Sequence, residues 1–389
     1  MRSAETAAPL PDGSALIHIG MPKTGTTALQ AALQDARPTL RGLGVANVGR
    51  GRHEMKTALT AAGTLAPYWN DAWQDRWKEL ATSFRTSTAR CTIWSSETLT
   101  QASPERIQHI ADELGRDVTV VLTLRPLAPL LASQWQEVLR RRGTDSLDAW
   151  LHRHFDAVSV DGEVHVKYTR VMPELHRFSL RRVVQEWGAV FGEDKLVFVV
   201  PAPGDRSAHL RAFEGLMGVP EETLKLQDLD NSSLPYPEAE MLRHFNIAYT
   251  DRGGDHPTWM FTVGAAGKTG LRHLTGLTPY PIRTPRWAAE RANDYTQGWI
   301  SAVEGSDATV IGDLQDLLVD PAAFPEDATP PDTVSVDSAG RIADIFYKSG
   351  LDYQPPASEG DAPGLEAYGG RQLLREVGKR ARRRLRQRT

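Results

Sequence analysis

Four residues with anion-binding chemistry, Lys23, Gly25, Thr26 and Thr27, lie between a short apolar run (15–19) and a helical pattern. A helix N-terminus leaves backbone N–H groups unpaired and carries partial positive charge, so it binds phosphate or sulfate. Gly25 lets the backbone curl around an anion, Lys23 adds a full charge, and the two hydroxyls cap the helix or bond the anion. The segment predicts an anion-binding loop; the alternative is a strand-turn-helix whose Gly and Thr are a cap by chance.

The order of residues in this loop differs from that of the nucleotide triphosphatase loop. That loop has the pattern G-x-x-x-x-G-K-[ST], in which the Lys directly follows the last Gly and stands beside a magnesium-binding hydroxyl. Here Lys23 precedes Gly25 by two positions. The loop therefore belongs to another class of anion site.

A second pair of phosphate-binding side chains, Arg125 and Ser133, follows the apolar run 118–124. Ligands of open α/β sheets collect where the strands end, and Pro126 and Pro129 fit the first turn of a helix that would carry Ser133. A guanidinium offers forked, charged donors to phosphate oxygens, and a hydroxyl adds a short bond. Taken alone, Arg125 is equally well explained as a surface residue at a strand end.

Together, the two motifs resemble those of sulfotransferases that use 3′-phosphoadenosine 5′-phosphosulfate (PAPS), particularly bacterial members. The run Pro22-Lys-Thr-Gly-Thr-Thr27 resembles the 5′-phosphosulfate loop of that family, and Arg125 and Ser133 have the spacing of its 3′-phosphate site. The likeness covers roughly residues 14–320, and only these two motifs are specific. It departs at 127–131, which is more apolar than the charged stretch expected there.

The resemblance implies an enzyme that moves the sulfuryl group of PAPS to a hydroxyl or amine of a carbohydrate, lipid or natural-product acceptor, without a metal. It implies that Lys23 stabilises the leaving phosphate and that Arg125 and Ser133 hold the 3′-phosphate. The 5′-phosphosulfate contacts would come from Pro22, Lys23, Thr24, Gly25, Thr26 and Thr27.

Two residues are candidates for the base that takes the acceptor's proton. Glu97 follows the apolar run 91–94 and a Ser-Ser pair, and so falls at the same predicted sheet edge. Its alternative roles are to cap a helix starting near Ser103 or to pair with Arg125. His53 lies in the loop region after the first predicted helix; a lone loop histidine is more often simply solvated. We favour Glu97.

Apolar, β-branched runs alternate with helical patterns along the chain, which predicts an α/β fold of P-loop type. We expect three layers, with a central parallel sheet of about five strands between helices, and helical additions towards the C-terminus. The predicted organisation is a sulfotransferase-like domain over 14–320, a linker-like extension over 321–370 and a basic tail over 371–389. The expected strands are 15–19, 91–94, 118–124, 196–200 and 309–311, and the main expected helices are 27–40, 66–84, 105–114, 127–142, 180–191, 237–250 and 286–303.

The composition is that of an ordinary globular protein, with 389 residues, 40% hydrophobic and 24% charged. No apolar run approaches the roughly 20 residues that span a bilayer, and no secretory signal is visible, so we expect a cytoplasmic protein. Cys91 is the single cysteine, which excludes an internal disulfide and a cysteine-based zinc cage. His152, His154 and Asp156 alternate, but without a second ligand cluster we expect no metal site.

The basic tail 371–389 carries nine Arg and Lys residues against one Glu, although the whole chain has a net charge of −4. This composition suits attachment to an anionic inner-membrane surface or to an acidic partner, and equally a solvated, disordered tail. Because the basic charge is confined to this tail and no aromatic-basic groove is readable, we do not expect a nucleic acid partner.

Two other functions compete with sulfuryl transfer. A P-loop nucleotide-dependent kinase is disfavoured by the missing Gly-Lys-[Ser/Thr] order and by the lack of an Asp at the end of the strands that begin at Cys91 and Val118. A catalytically degenerate nucleotide-binding scaffold, recruited by its tail, would retain nucleotide affinity without transfer.

Overall fold

The strands that carry the candidate residues lie side by side in one parallel sheet. A computed structural model of the protein describes residues 7–51, 54–64, 72–115, 117–166, 173–227, 233–264, 270–271 and 280–351. Within these ranges, six strands pair in the order β2-β3-β1-β4-β5-β6. They are β1 Ser14–His18, β2 Val45–Asn47, β3 Cys91–Ser95, β4 Val118–Thr123, β5 Leu196–Val199 and β6 Thr309–Ile311.

The sheet confirms the predicted α/β fold class and adds a strand that the sequence did not reveal. All five neighbouring pairs are parallel. The additional strand, β2, has only three residues and pairs with β3 at one edge of the sheet. A run this short shows no periodicity that could be distinguished from a loop.

Helices cover both faces of this sheet. In the first half of the chain they are α1 Thr26–Asp35, α2 Arg37–Gly42, α3 Met55–Ala61, α4 Ala72–Arg85, α5 Pro104–Leu114, α6 Leu127–Leu139 and α7 Leu147–Ala157. Then follow α8 Glu174–Phe178, α9 Leu180–Arg182, a π-helical turn Val183–Trp187, α10 Gly188–Phe191, α11 Ala208–Met217, α12 Tyr236–Asp251, α13 His256–Phe261, α14 Arg286–Glu304 and α15 Val336–Leu351.

Two hydrophobic cores lie on opposite faces of the sheet because successive strand side chains point to opposite sides. Leu16 of β1 faces a core shared with α1, α2 and α11, which contribute Leu29, Leu40 and Phe213. Ile17, the next residue, faces the larger core, to which α4, α5 and α6 contribute Phe84, Ile110 and Leu131. Full burial of each such side chain stabilises the fold by about 1.5–3 kcal/mol. The result is the expected three-layer arrangement.

Two predicted helices have different limits in the structure, each for a local reason. The helix predicted over 27–40 is divided at Ala36, because Pro38 lies at the start of α2 and cannot donate to the hydrogen-bond ladder of α1. The helix predicted over 127–142 ends at Leu139. Arg142 then adopts a positive φ of 73°, and the Gly143 N–H returns to the Val138 carbonyl at 2.9 Å.

The segment 321–370, predicted to be linker-like, contains α15. Ile342 is buried, the ring of Phe346 lies 5.0 Å from that of Phe245 on α12, and the Ser349 hydroxyl donates to the Thr262 carbonyl at 2.6 Å. This part of the extension is therefore a packed helix, since its apolar residues recur at helical spacing. The basic tail 371–389 lies outside the described residues. None of the described helices is long and apolar enough to cross a bilayer.

Candidate functional site

The candidate residues meet at the carboxyl edge of the sheet, around the boundary between β1 and β4. After β1 the chain runs to β2 and β3 on one side, whereas after β4 it continues to β5 and β6 on the other side. The two connections thus diverge and leave a crevice, which is where open α/β sheets bind ligands. The β1–α1 loop, with Lys23, and the β4–α6 connection, with Arg125, border this crevice.

The β1–α1 loop has a backbone that only glycine tolerates well at two positions. Gly20 and Gly25 have positive φ values of 41° and 93°. A Cβ on Gly20 would lie 2.8 Å from the Thr26 hydroxyl, and one on Gly25 would lie 3.3 Å from Nε2 of His209. Both glycines are therefore required by conformation and by close approach.

The helix α1 begins at Thr26, and its N-cap is Gly25, which has no side-chain capping bond. Of the two roles predicted for the Thr26 and Thr27 hydroxyls, the structure does not show capping of this helix, and the bond to an anion stays a prediction. The Thr24 and Thr26 hydroxyls instead reach back to the Met21 carbonyl, at 2.6 and 3.5 Å, and brace the loop from within. The first backbone N–H groups of α1 thus face the loop without a side-chain acceptor, which is the arrangement that favours an anion.

The predicted loop residues divide into a buried set and a partly exposed set. Pro22, Thr24 and Thr26 are buried inside the turn, whereas Lys23, Gly25 and Thr27 are partly exposed. The buried set shapes the loop, and the partly exposed set is available to a ligand.

Lys23 combines an unusual backbone conformation with an ion pair. Its φ of 68° lies in the left-handed region, which costs a non-glycine residue about 1–2 kcal/mol. Its ammonium lies 2.7 Å from a carboxylate oxygen of Glu137 on α6, which also pairs with Arg140 at 2.7 Å. Burial alone would raise the pKa of Glu137, but Lys23 and Arg140 together lower it to about 2. Glu137 is thus ionised throughout the physiological range.

Arg125 lies against the β1–α1 loop. Its guanidinium is exposed and donates from Nη1 to the backbone carbonyl of Lys23 at 3.0 Å. Ser133 is half-buried on α6, one helical turn before Glu137, and therefore shares the helix face that meets Lys23. The structure brings the loop, Arg125 and this face of α6 together.

Glu97 lies in a 3-10 turn, Glu97–Gln101, directly after β3. Its carboxylate accepts a hydrogen bond of 3.1 Å from the side-chain amide of Gln30 on α1, which also donates to the Ser95 carbonyl at 3.1 Å. The following helix, α5, is capped by Ser103, so Glu97 does not cap it. Gln30 therefore holds the Glu97 carboxylate beside the helix that carries the anion-binding loop.

His18, at the end of β1, connects three strand ends. It is fully buried, with Nδ1 2.8 Å from the Ser95 hydroxyl on β3 and Nε2 3.2 Å from the Thr123 hydroxyl on β4. Burial, with a further contribution from His209, lowers the pKa of His18 to about 3. A neutral imidazole thus fixes the strand ends that precede Glu97 and Arg125.

Other predictions concern residues elsewhere. His53, the second candidate base, lies outside the described residues. His152 stacks on Trp287 with ring centroids 4.2 Å apart, and His154 contacts the Trp150 ring and its carbonyl. Across the part of the chain that the structure describes, no group of three or more His, Cys, Asp or Glu residues could hold a metal ion.

Three residues at this site were not predicted: Gln30, Glu137 and His209. Glu137 could have been found, since it follows Ser133 by four positions and so shares its helix face. Gln30 lies four residues after Thr26, on the same helix. His209 reaches the loop from α11, and only the packing of that helix reveals it.

Comparison with known proteins gives one structural match. No protein-family model matches the chain, and no curated protein matches it in sequence. A crystal structure of a sulfotransferase from Alicyclobacillus acidocaldarius is similar at a TM-score of 0.38 and 15% sequence identity, over 65% of this chain and 99% of that one. This similarity is too low to indicate a function.

Proposed function

We propose that the protein transfers the sulfuryl group of PAPS to a hydroxyl or amine of a carbohydrate, lipid or natural-product acceptor. The observation that carries the proposal is the contact of Arg125 with the Lys23 carbonyl, 3.0 Å long, beside the uncapped N-terminus of α1. Two cationic groups and a helix N-terminus thereby border one crevice. A nucleotide with phosphate groups on both the 5′ and the 3′ oxygen matches such a distribution of positive charge.

The residues of the loop fit the 5′-phosphosulfate end of that donor. Gly20 and Gly25 keep side chains out of the turn, and the N–H groups at the start of α1 supply donors. The Lys23 ammonium adds the charge that stabilises the phosphate as it leaves. Arg125 and Ser133 are proposed to hold the 3′-phosphate through a forked guanidinium and a hydroxyl.

Sulfuryl transfer needs a base that takes the proton of the acceptor group and a contact that holds this base in position. The acceptor oxygen or nitrogen forms a bond to sulfur while the bond between sulfur and the 5′-phosphate oxygen breaks, which leaves 3′,5′-ADP. Glu97 is proposed to take the acceptor's proton, and the hydrogen bond from Gln30 fixes the position of its carboxylate. His53 is the second candidate for this role.

The acceptor is proposed to bind along the stretch 144–177, of which residues 144–166 and 173–177 are described. This stretch includes α7 and α8, and it carries buried charge close to Glu97. Arg177 is almost fully buried beside Glu174, and its Nε lies 3.4 Å from the Thr100 hydroxyl, which itself donates to the Glu97 carbonyl at 2.7 Å. Polar groups of this kind can orient a hydroxyl-rich or amine-bearing acceptor.

Calorimetry on the full chain tests the donor class by comparing 3′,5′-ADP with ATP and magnesium. We expect 3′,5′-ADP to bind at least about tenfold more tightly, because its 3′-phosphate adds a charge-assisted contact. Incubation with ³⁵S-labelled PAPS and small-molecule extracts of the source organism should then yield a labelled product.

Other outcomes would favour the rival functions. Tighter binding of ATP with magnesium, together with phosphate transfer, would replace sulfuryl transfer with a kinase activity. Tight binding of 3′,5′-ADP without any labelled product across a broad acceptor panel would favour a scaffold.

A further inference from the structure

His209 is buried against the anion-binding loop, although it comes from a different part of the chain. Only 7% of the residue is exposed, and it lies near the start of α11, on the face of the sheet that α1 also covers. Its Nε2 is 3.3 Å from the point that a Cβ on Gly25 would occupy. The imidazole edge is thus directed at the N-cap of α1.

The directed nitrogen makes no hydrogen bond with any of the described residues. The Arg206 backbone acts on the His209 ring so as to raise its pKa. Nε2 faces the loop unpaired, and it is a donor or an acceptor according to the tautomer of the neutral ring. A buried polar atom without a partner is unfavourable and calls for a functional explanation.

Charged and titratable groups face His209 from three neighbouring elements. Burial lowers its pKa, and so does the positive charge of Arg125 after β4, whereas Asp205 ahead of α11 acts in the opposite direction. His18 of β1 also interacts with it. The Asp205 carboxylate forms an ion pair with Arg211 and accepts a hydrogen bond from the backbone N–H of Ser207. The lowered pKa favours the neutral form of His209 at pH 7.

We propose that His209 is an additional ligand of the anion held at the start of α1, and that it takes up a proton when the anion binds. The protonated ring would donate from Nε2 to a phosphate or phosphosulfate oxygen. The proton comes from solvent, and no covalent bond changes. For the identity of the anion, the inference rests on the proposed function.

The test is calorimetry of the full chain with two probes, 3′,5′-ADP and inorganic pyrophosphate, between pH 6.5 and 8.5. This range lies above the second pKa, about 6, of the phosphate groups of 3′,5′-ADP. Pyrophosphate itself titrates within this range, so its proton count is taken as the difference between wild type and His209→Gln. Titrations in buffers with different ionisation enthalpies count the protons taken up. The variants are His209→Gln, which is neutral at every pH, and His244→Gln as a control, because His244 on α12 has a side chain that is 69% exposed.

We expect the wild type and the control to take up close to one proton per bound anion and to bind up to about tenfold more tightly per pH unit of acidification. His209→Gln should bind both probes about 10- to 100-fold more weakly at pH 6.5 and should lose the proton uptake. Equal affinity and equal uptake in wild type and His209→Gln would overturn the inference.

The two probes separate this inference from the proposed function. If pyrophosphate binds with His209-dependent proton uptake but 3′,5′-ADP does not bind, the donor assignment fails and the role of His209 stands. If both probes bind in the same way to wild type and to His209→Gln, the role of His209 fails while the donor assignment stands. If neither probe binds the wild type, both are wrong.

Discussion

The ammonium of Lys23 lies 2.7 Å from the carboxylate of Glu137, although Lys23 is the residue best placed to stabilise a bound anion. An incoming anion therefore meets a lysine whose charge is partly neutralised. It must also tolerate a carboxylate that stays ionised, because the pKa of Glu137 is lowered to about 2. An anion that binds at the loop therefore has to compete with Glu137 for the ammonium of Lys23.

Substitution of Glu137 by Gln should strengthen anion binding. Removing the negative charge leaves Lys23 and Arg140 unneutralised, so the dissociation constant of 3′,5′-ADP should fall about 3- to 10-fold and depend more steeply on salt. Asp117→Asn is a matched control, because Asp117 forms the same kind of pair with Lys195 at the amino edge of the sheet. Unchanged or weaker binding in Glu137→Gln would contradict this prediction.

Lys23→Ala and Arg125→Ala should both suppress turnover, by different routes. Loss of the Lys23 charge should lower kcat about 100- to 1000-fold, as for other donors that stabilise developing charge. Loss of Arg125 should act mainly on donor binding and raise the dissociation constant of 3′,5′-ADP about 10- to 100-fold. Steady-state kinetics and calorimetry separate the two effects. Lys195→Ala serves as the control, and wild-type turnover in both site variants would refute the site assignment.

Gly25→Ala should abolish anion binding while the protein still folds. The added methyl group would meet Nε2 of His209 at 3.3 Å, and the positive φ of 93° adds strain of about 1–2 kcal/mol. Gly204→Ala isolates the strain, since Gly204 has a φ of 82° and open space around its Cα. Both variants should lose similar stability in urea, but only Gly25→Ala should lose affinity for 3′,5′-ADP. Equal affinity in the two variants would show that the close approach at Gly25 is unimportant.

Glu97→Gln and His53→Gln together identify the base. The variant that removes the base should lower kcat about 100- to 10,000-fold. Its affinity for 3′,5′-ADP should stay within about twofold of wild type, because neither residue is expected to contact the donor's phosphates. We expect this pattern for Glu97→Gln, with His53→Gln close to wild type. The reverse result would transfer the role to His53.

His18 should make the fold less stable as the pH falls. Its pKa is about 3 in the folded protein and near 6.5 in the unfolded chain, so the unfolded chain binds one more proton between these values. Stability from this group is fully present above pH 6.5 and is lost towards pH 3, by up to about 1.4 kcal/mol per pH unit. Urea unfolding from pH 5 to 8 should show a shallower dependence in His18→Gln than in wild type or His244→Gln; equal slopes would mean that His18 does not titrate as described.

The fold was largely predictable because its strong signals are local. Apolar runs such as 118–124 marked the buried strands, and Pro126 marked the start of α6. The sequence also indicated the loop and Arg125, because both directly follow strands whose ends must meet at one edge. Whether Glu97 or His53 is the base stays a prediction.

Contacts between residues that are far apart in the sequence could not be predicted, because they depend on how the helices pack. His209 is about 180 residues from Gly25, and the two meet only because α1 and α11 cover the same face of the sheet. The pairing of Lys23 with Glu137 depends likewise on how α6 lies beside the loop. The short strand β2 and the π-helical turn have no periodicity of their own to reveal them.

The π-helical turn Val183–Trp187 directly follows Arg182, a residue that supports the turn carrying the candidate base Glu97. Arg182 and Trp187 lie at the two ends of this turn, and both are buried. Arg182 donates to the Thr100 carbonyl at 2.7 Å, and the Thr100 hydroxyl holds the Glu97 carbonyl. Deleting a single amino acid within this turn would restore ordinary α-helical winding and rotate one of the two side chains away from its partners. Homologues that are one residue shorter here should therefore anchor the Glu97 turn by other means.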